Sequence, residues 1–201
     1  RGQPWRERGA AMRQMDLGAA WVFRLSSLAL NPKVWSMVEH ENSREDVEMN
    51  ERANAVTLHG NPLTLVGDLV AAGDKAPDFT VVDNELKEKR LADYAGKVLI
   101  VASVPSLDTP VCELETKRFN KEAGSLSDDI VMLTVSMDLP FAQKRWCGAQ
   151  GVERLVTLSD HREASFGLNW GVLIKELRLL ARAVFVVDRK GRVTYVQLVK
   201  E

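Results

Sequence analysis

Residues Lys97 to Asn120 read KVLIVASVPSLDTPVCELETKRFN, and the rest of the chain is organised around this stretch. Val98 to Val104 form an unbroken apolar run, too short to span a membrane and rich in β-branched residues, which predicts a central strand covered on both faces. Pro105 stops it. After the short turn Ser106-Leu107-Asp108, Thr109-Pro110 predicts a helix start, with Thr109 as N-cap and Pro110 as the first helical residue. On that register Cys112 is the third helical residue, where a capping box would hold Glu or Gln against unpaired N–H donors and the positive end of the helix dipole. Such donors favour thiolate over thiol. The Thr-Pro-x-Cys cap therefore marks Cys112 as a nucleophilic sulfur, although a cysteine taken at random is more often a small buried apolar residue. The helix is expected to set Val111, Leu114 and Phe119 on one side and to stop at Gly124.

Composition narrows the field. A chain of 201 residues with 45% apolar content can bury one good core and is of the ordinary globular class. Its net charge of −1, from 27 basic and 28 acidic side chains, gives no support to a nucleic-acid or membrane partner. The two cysteines, Cys112 and Cys147, and the scattered His40, His59 and His161 make neither a disulfide framework nor zinc-ligand spacing, so no metal site is expected.

Outward from the opening stretch, alternation splits the chain into further elements. Val56 and Leu58, then His59-Gly60-Asn61-Pro62, then Leu63 and Leu65 predict a β-hairpin. Ala76 to Val82 predicts a short extended piece, and the polar connection 85–96 a helical turn at Leu91 to Tyr94. Ile130 to Ser136 is a second continuous apolar run, and with the cysteine helix between the two runs it makes a right-handed parallel βαβ unit. Asp138-Leu139-Pro140 opens a second helix, Phe141 to Ala149, which carries Cys147 and is weakened by Gly148 and Gly151. A strand at Leu155 to Leu158, a short helix at Glu163 to Asn169 and a hairpin pairing Ala183 to Val187 with Val193 to Val196 complete the order. The succession predicts an α/β thioredoxin-like sandwich, a central mixed β-sheet flanked by helices, with an N-terminal β-hairpin.

These residues resemble a known family. From about Ala53 to Glu201 the chain is similar to the bacterial thiol peroxidases, an atypical two-cysteine branch of the peroxiredoxins. Pro105 to Cys112 fits the pattern P-x-x-x-T-x-x-C, and Asp138-Leu139-Pro140-Phe141-Ala142-Gln143 leads to Cys147. Ala181 to Asp188 supplies the third block. The resemblance implies that Cys112 attacks a hydroperoxide and becomes a sulfenic acid. It further implies that Thr109 hydrogen-bonds sulfur and peroxide, that Pro105 shields the intermediate from water, and that Arg182 stabilises the thiolate and the departing oxygen. Cys147 would resolve the sulfenic acid as an intramolecular disulfide, which thioredoxin reduces. The alternative, a permanent structural disulfide, would be worth about 3–4 kcal/mol by loop closure but lacks a secretory context.

The resemblance thus implies a peroxidase for hydrogen peroxide and alkyl hydroperoxides, homodimeric, cytoplasmic and without a cofactor. The rival readings are a redox sensor or chaperone using the same cysteine, and a thiol–disulfide oxidoreductase, for which the customary C-x-x-C is absent. Residues 1–52 have no counterpart in the family. Their stretch Leu17 to Phe23 is interrupted by Arg24 without a cleavage site, and the acidic run from Glu39 to Glu51 reads as a solvated linker. The domain is accordingly expected over 53–201, ending short of the family's C-terminal helix.

Overall fold

The computed structural model describes residues 49–123, 126–152 and 154–201. In chain order it contains β1 (Glu51–Leu58), β2 (Asn61–Val66), β3 (Thr80–Val82), β4 (Glu88–Arg90), a 3-10 turn (Leu91–Tyr94), β5 (Val98–Ser103), α1 (Pro110–Ala123), β6 (Ile130–Ser136) and α2 (Pro140–Gln150). There follow β7 (Val156–Ser159), α3 (Ser165–Asn169), β8 (Leu173–Ile174), β9 (Leu179–Leu180), β10 (Ala183–Val187) and β11 (Val193–Leu198). The leader-like stretch and most of the acidic run lie outside the described residues, as does Gly124. Of the expected extension only Met49 to Arg52 is described, and Glu51 and Arg52 already belong to β1.

The long apolar run is central, as its composition predicts. β5 pairs in parallel with β6 and antiparallel with β10, within a seven-stranded mixed sheet of order β11-β10-β5-β6-β7-β3-β4. Alternation along the strands divides their side chains between two cores. Leu99 and Val101 of β5, and Leu133 and Val135 of β6, face the larger one, with Phe79, Phe166, Trp170 and Phe185. There Phe166 stacks on Trp170 at 5.0 Å and Trp170 meets Phe185 edge-on at 4.9 Å. Ile100 and Met132 face the opposite way, onto the smaller core built with α1 and α2. The arrangement is the thioredoxin-like α/β sandwich.

The N-terminal hairpin forms through a two-residue turn in which His59 (φ 51°) and Gly60 (φ 75°) both adopt the left-handed region, as the favoured hairpin turn requires. It does not join the central sheet. It pairs with β8 and β9 in a second sheet of order β1-β2-β8-β9 that covers the larger core. β4, β8 and β9 escaped the sequence because two- and three-residue strands are too short to show alternation.

One helical face differs from expectation. Val111 and Leu114 are 57% and 71% exposed, whereas the buried side of α1 runs through Cys112 and Thr116 to the half-buried Phe119. The cap fixes this register: once Cys112 points inward, Val111 and Leu114 stand about 100° and 200° away around the helix.

Candidate active site

Cys112 lies where the cap places it. Its amide N–H donates to Thr109 Oγ1 at 3.4 Å, and the Glu113 N–H donates to the Thr109 carbonyl at 2.8 Å, which makes Thr109 the N-cap and Cys112 the third helical residue. The Thr109 hydroxyl in turn donates to the Ser106 carbonyl at 3.3 Å, so its described bonds run to backbone rather than to sulfur. Cys112 is fully buried in the smaller core, against Val104, Leu107, Met132 and Trp146.

Arg182 enters from the residue preceding β10. The Ser103 hydroxyl donates to the Ala181 carbonyl at 2.7 Å and Ala183 pairs with Ser103, so the end of β5 fixes the backbone on either side of the arginine. Its Nη2 reaches Cys112 Sγ at 3.3 Å. Its Nε lies 3.3 Å from Glu115 Oε2, a contact of two opposite charges whose N–H is not aimed at the oxygen, so it is an ion pair without a hydrogen bond. Both side chains are about four-fifths buried, at 20% and 21% exposure. Burial pushes the Glu115 carboxyl above its usual range, and the Arg182 charge opposes that shift only in part. The result is a cation held between a sulfur and a carboxylate in a poorly hydrated place, where charge acts strongly.

Pro105 and Arg182 line one small groove of about 70 Å³, whose other walls include Val56, Leu63, Leu179 and Ala181. Cys147 stands elsewhere. It packs against the same smaller core as Cys112, but its Sγ lies 3.5 Å from Thr157 Oγ1, and it lines a separate cleft of about 370 Å³ with Asp83, Tyr94 and Thr157. Both cysteines are free thiols. The structure therefore brings Pro105, Thr109, Cys112 and Arg182 together and leaves Cys147 on the neighbouring helix. α2 has Gly148 directly after Cys147 and ends at Gly151 in the left-handed conformation, its N–H donating to the Cys147 carbonyl. Among the described residues, no group of three or more His, Cys, Asp or Glu side chains gathers that could hold a metal ion.

Two residues of the site were missed. Glu115 is signalled by its place one turn after Cys112, where it shares the cysteine's side of the helix. Asp138 reads in the sequence only as a helix opener, yet its carboxylate accepts bonds from Ser106 Oγ and the Leu107 N–H, in the loop that leads to Cys112.

The Redoxin family matches residues 71–201. The chain is 58% identical over 146 residues to a thiol peroxidase of Bacillus subtilis, covering 73% of this chain and 87% of that protein. It is 57% identical over 146 residues to a thiol peroxidase of Oceanobacillus iheyensis, covering 73% and 88%. Among solved structures, a peroxiredoxin-like protein from Aquifex aeolicus superposes with a TM-score of 0.69 at 46% identity, over 76% of this chain and 88% of that one. The chain belongs to the Redoxin family and, within it, to the thiol peroxidases, enzymes of the peroxiredoxin type.

Proposed function

We propose that the chain reduces hydroperoxides through a two-cysteine cycle recycled by thioredoxin. The observation that carries this reading is the 3.3 Å contact of Arg182 Nη2 with Cys112 Sγ at a capped helix start. The Cys112 thiolate attacks the terminal peroxide oxygen, the O–O bond breaks, and the departing alkoxide or hydroxide takes a proton to leave as alcohol or water. Cys112 is then a sulfenic acid. Arg182 stays beside sulfur and leaving oxygen throughout, the Thr109 hydroxyl turns its hydrogen from the Ser106 carbonyl to the peroxide, and Pro105 keeps water off the sulfenic acid. The Cys147 thiol next attacks that sulfur, releasing water and forming the Cys112–Cys147 disulfide, and thioredoxin supplies two electrons and two protons to restore both thiols.

The groove beside Arg182 is lined largely by apolar side chains, which suits alkyl hydroperoxides as well as hydrogen peroxide. Gly148 and Gly151 favour the local unwinding that the disulfide needs. Val111 and Leu114 near the start of α1, with Leu139 and Phe141 at the start of α2, are large apolar side chains left exposed, which supports a homodimer. Two free thiols suit the cytoplasm. The catalytic domain begins with β1, close to Ala53.

Steady-state assay with thioredoxin, its reductase and NADPH tests the proposal. Many equivalents of peroxide should be consumed by the parent and none above background by Cys112→Ser, in which a serine hydroxyl cannot replace the thiolate as nucleophile. Consumption of a single equivalent would make the protein a sensor instead.

A further inference from the structure

We propose that Asp138 is a positioning residue: it latches the loop leading into α1 to the segment leading into α2, and so holds Cys112 in its buried, arginine-paired geometry until Cys147 is to reach it. What the latch serves rests on the two-cysteine cycle proposed above.

The carboxylate of Asp138 accepts three hydrogen bonds, from Ser106 Oγ at 2.7 Å, the Leu107 N–H at 2.8 Å and Ser136 Oγ at 2.8 Å. Two of these donors lie between β5 and α1, while Asp138 itself lies between β6 and α2. Its own backbone is fixed. The Asp138 N–H donates to Ser136 Oγ at 3.3 Å, and its carbonyl accepts from Ser159 Oγ at 2.5 Å. That use of the Ser159 hydrogen leaves His161 Nδ1 as the donor in its 2.8 Å contact with the same hydroxyl. From α2, Gln143 Nε2 donates to Ser136 Oγ at 2.9 Å. The anchor is therefore rigid, and the carboxylate reaches from it to the loop before α1.

Two routes lead from that loop to the sulfur. The Ser106 carbonyl accepts the Thr109 hydroxyl, whose oxygen accepts the Cys112 N–H, so the cap depends on where Ser106 stands. Leu107, 1% exposed, packs with Cys112 in the smaller core, so its held N–H also holds the cover over the thiol. Bonds to a carboxylate are about twice as strong as neutral ones, which makes Asp138 a strong tie between the two segments. Those segments precede the two helices that carry the cysteines, and the thiols are unjoined. A disulfide between them requires Cys112 to leave its buried place as α2 unwinds around Cys147, and moving the Leu107 loop off the thiol breaks the Asp138 bonds to Ser106 and Leu107.

The test uses the full chain with Asp138→Asn, which keeps the shape but turns an amide NH₂ toward one of the donors. Three rates are read on reduced protein: alkylation of Cys112 by iodoacetamide in a Cys147→Ser background, disulfide formation by diamide, and oxidation of Cys112 by hydrogen peroxide. Diamide accepts two electrons and two protons from the thiols and becomes the hydrazine. The first two rates should rise about tenfold and the third fall about tenfold, as expected from the loss of one charge-assisted bond. Ser106→Ala, which keeps the carboxylate and removes one bond to it, should move all three the same way by less, and carries the test should Asp138→Asn not fold. Unchanged alkylation and diamide rates, or three rates that fall together, overturn the latch. A parent protein inert to peroxide overturns the enzymatic cycle instead and leaves the first two rates to decide the latch.

Discussion

Arg182 Nη2 lies 3.3 Å from Cys112 Sγ although 70 residues of chain separate them. The sheet makes the meeting, since β10 lies beside β5 and the Ser103 hydroxyl holds the Ala181 carbonyl. The guanidinium is shared with Glu115, so its charge is fixed at the sulfur rather than free to swing into solvent. Arg182→Met keeps most of the volume and removes the charge. Oxidation of Cys112 should slow about a hundredfold, the scale of losing one preorganised donor at a site of developing charge. Stopped-flow measurement with hydrogen peroxide checks this, with circular dichroism to show the fold intact. A rate within a factor of about three of the parent would remove Arg182 from the chemistry.

What could be read in the sequence was whatever a short window contains. The strand β5, the cap at Thr109, the βαβ unit and the turn at Asp188 to Gly191 are each specified by neighbouring residues, and each forms. The pairing of Arg182 with Cys112 had no local signal and came from resemblance to a family. Asp138 and Glu115 were overlooked because their partners are brought to them by tertiary packing. Val111 and Leu114 misled for the opposite reason: their apolar character suggested a buried face, while the cap register turned Cys112 and Thr116 inward. The second sheet was invisible because β8 and β9 are too short to alternate and depend on pairing with the hairpin.

Asp160 should make stability depend on pH. Its buried carboxylate accepts the Phe166 N–H at 3.1 Å and the Gly167 N–H at 2.8 Å, yet burial outweighs these bonds and pushes it from 3.8 up to about 6. Because the folded state holds this proton more tightly than the unfolded one, its contribution is fully present below about pH 4 and is lost as pH rises through about 6. The difference in urea-unfolding free energy between the parent and Asp160→Asn should therefore move against the parent by up to about 3 kcal/mol between pH 4 and pH 7. A difference that is flat across that range would show that Asp160 does not titrate there.

Gly171 should tolerate no side chain. It sits at φ 67° following Trp170, and a Cβ there would run into the carbonyl of Asp68. Its own carbonyl accepts Arg52 Nη2, while Arg52 Nε donates to the Gly67 carbonyl at 3.0 Å, so the site stitches the first strand to the turn after α3. Gly171→Ala should cost about 2–4 kcal/mol through strain and backbone displacement. Thermal and urea unfolding measure it, and a change below about 0.5 kcal/mol would mean that the backbone yields freely here.

Cys147→Ser separates the two halves of the proposed cycle. Cys112, Thr109 and Arg182 are untouched by it, and the contact that Cys147 Sγ makes is with Thr157, so the first oxidation should proceed at nearly the parent rate. Only the second step loses its reagent. Without an internal thiol the sulfenic acid persists, so a dimedone-type trap should label Cys112, and excess peroxide should drive it to the sulfinic acid. Turnover with thioredoxin should fall at least about tenfold, because its partner disulfide no longer forms, while dithiothreitol can still attack the sulfenic acid directly. Mass spectrometry after one equivalent of peroxide supplies the decisive reading. The parent should lose two mass units on closing its disulfide, and the variant should gain the mass of one oxygen. Full thioredoxin-linked turnover in the variant, with no trappable sulfenic acid, would show that Cys147 is not the resolving residue and that the unwinding assigned to Gly148 and Gly151 serves no catalytic step.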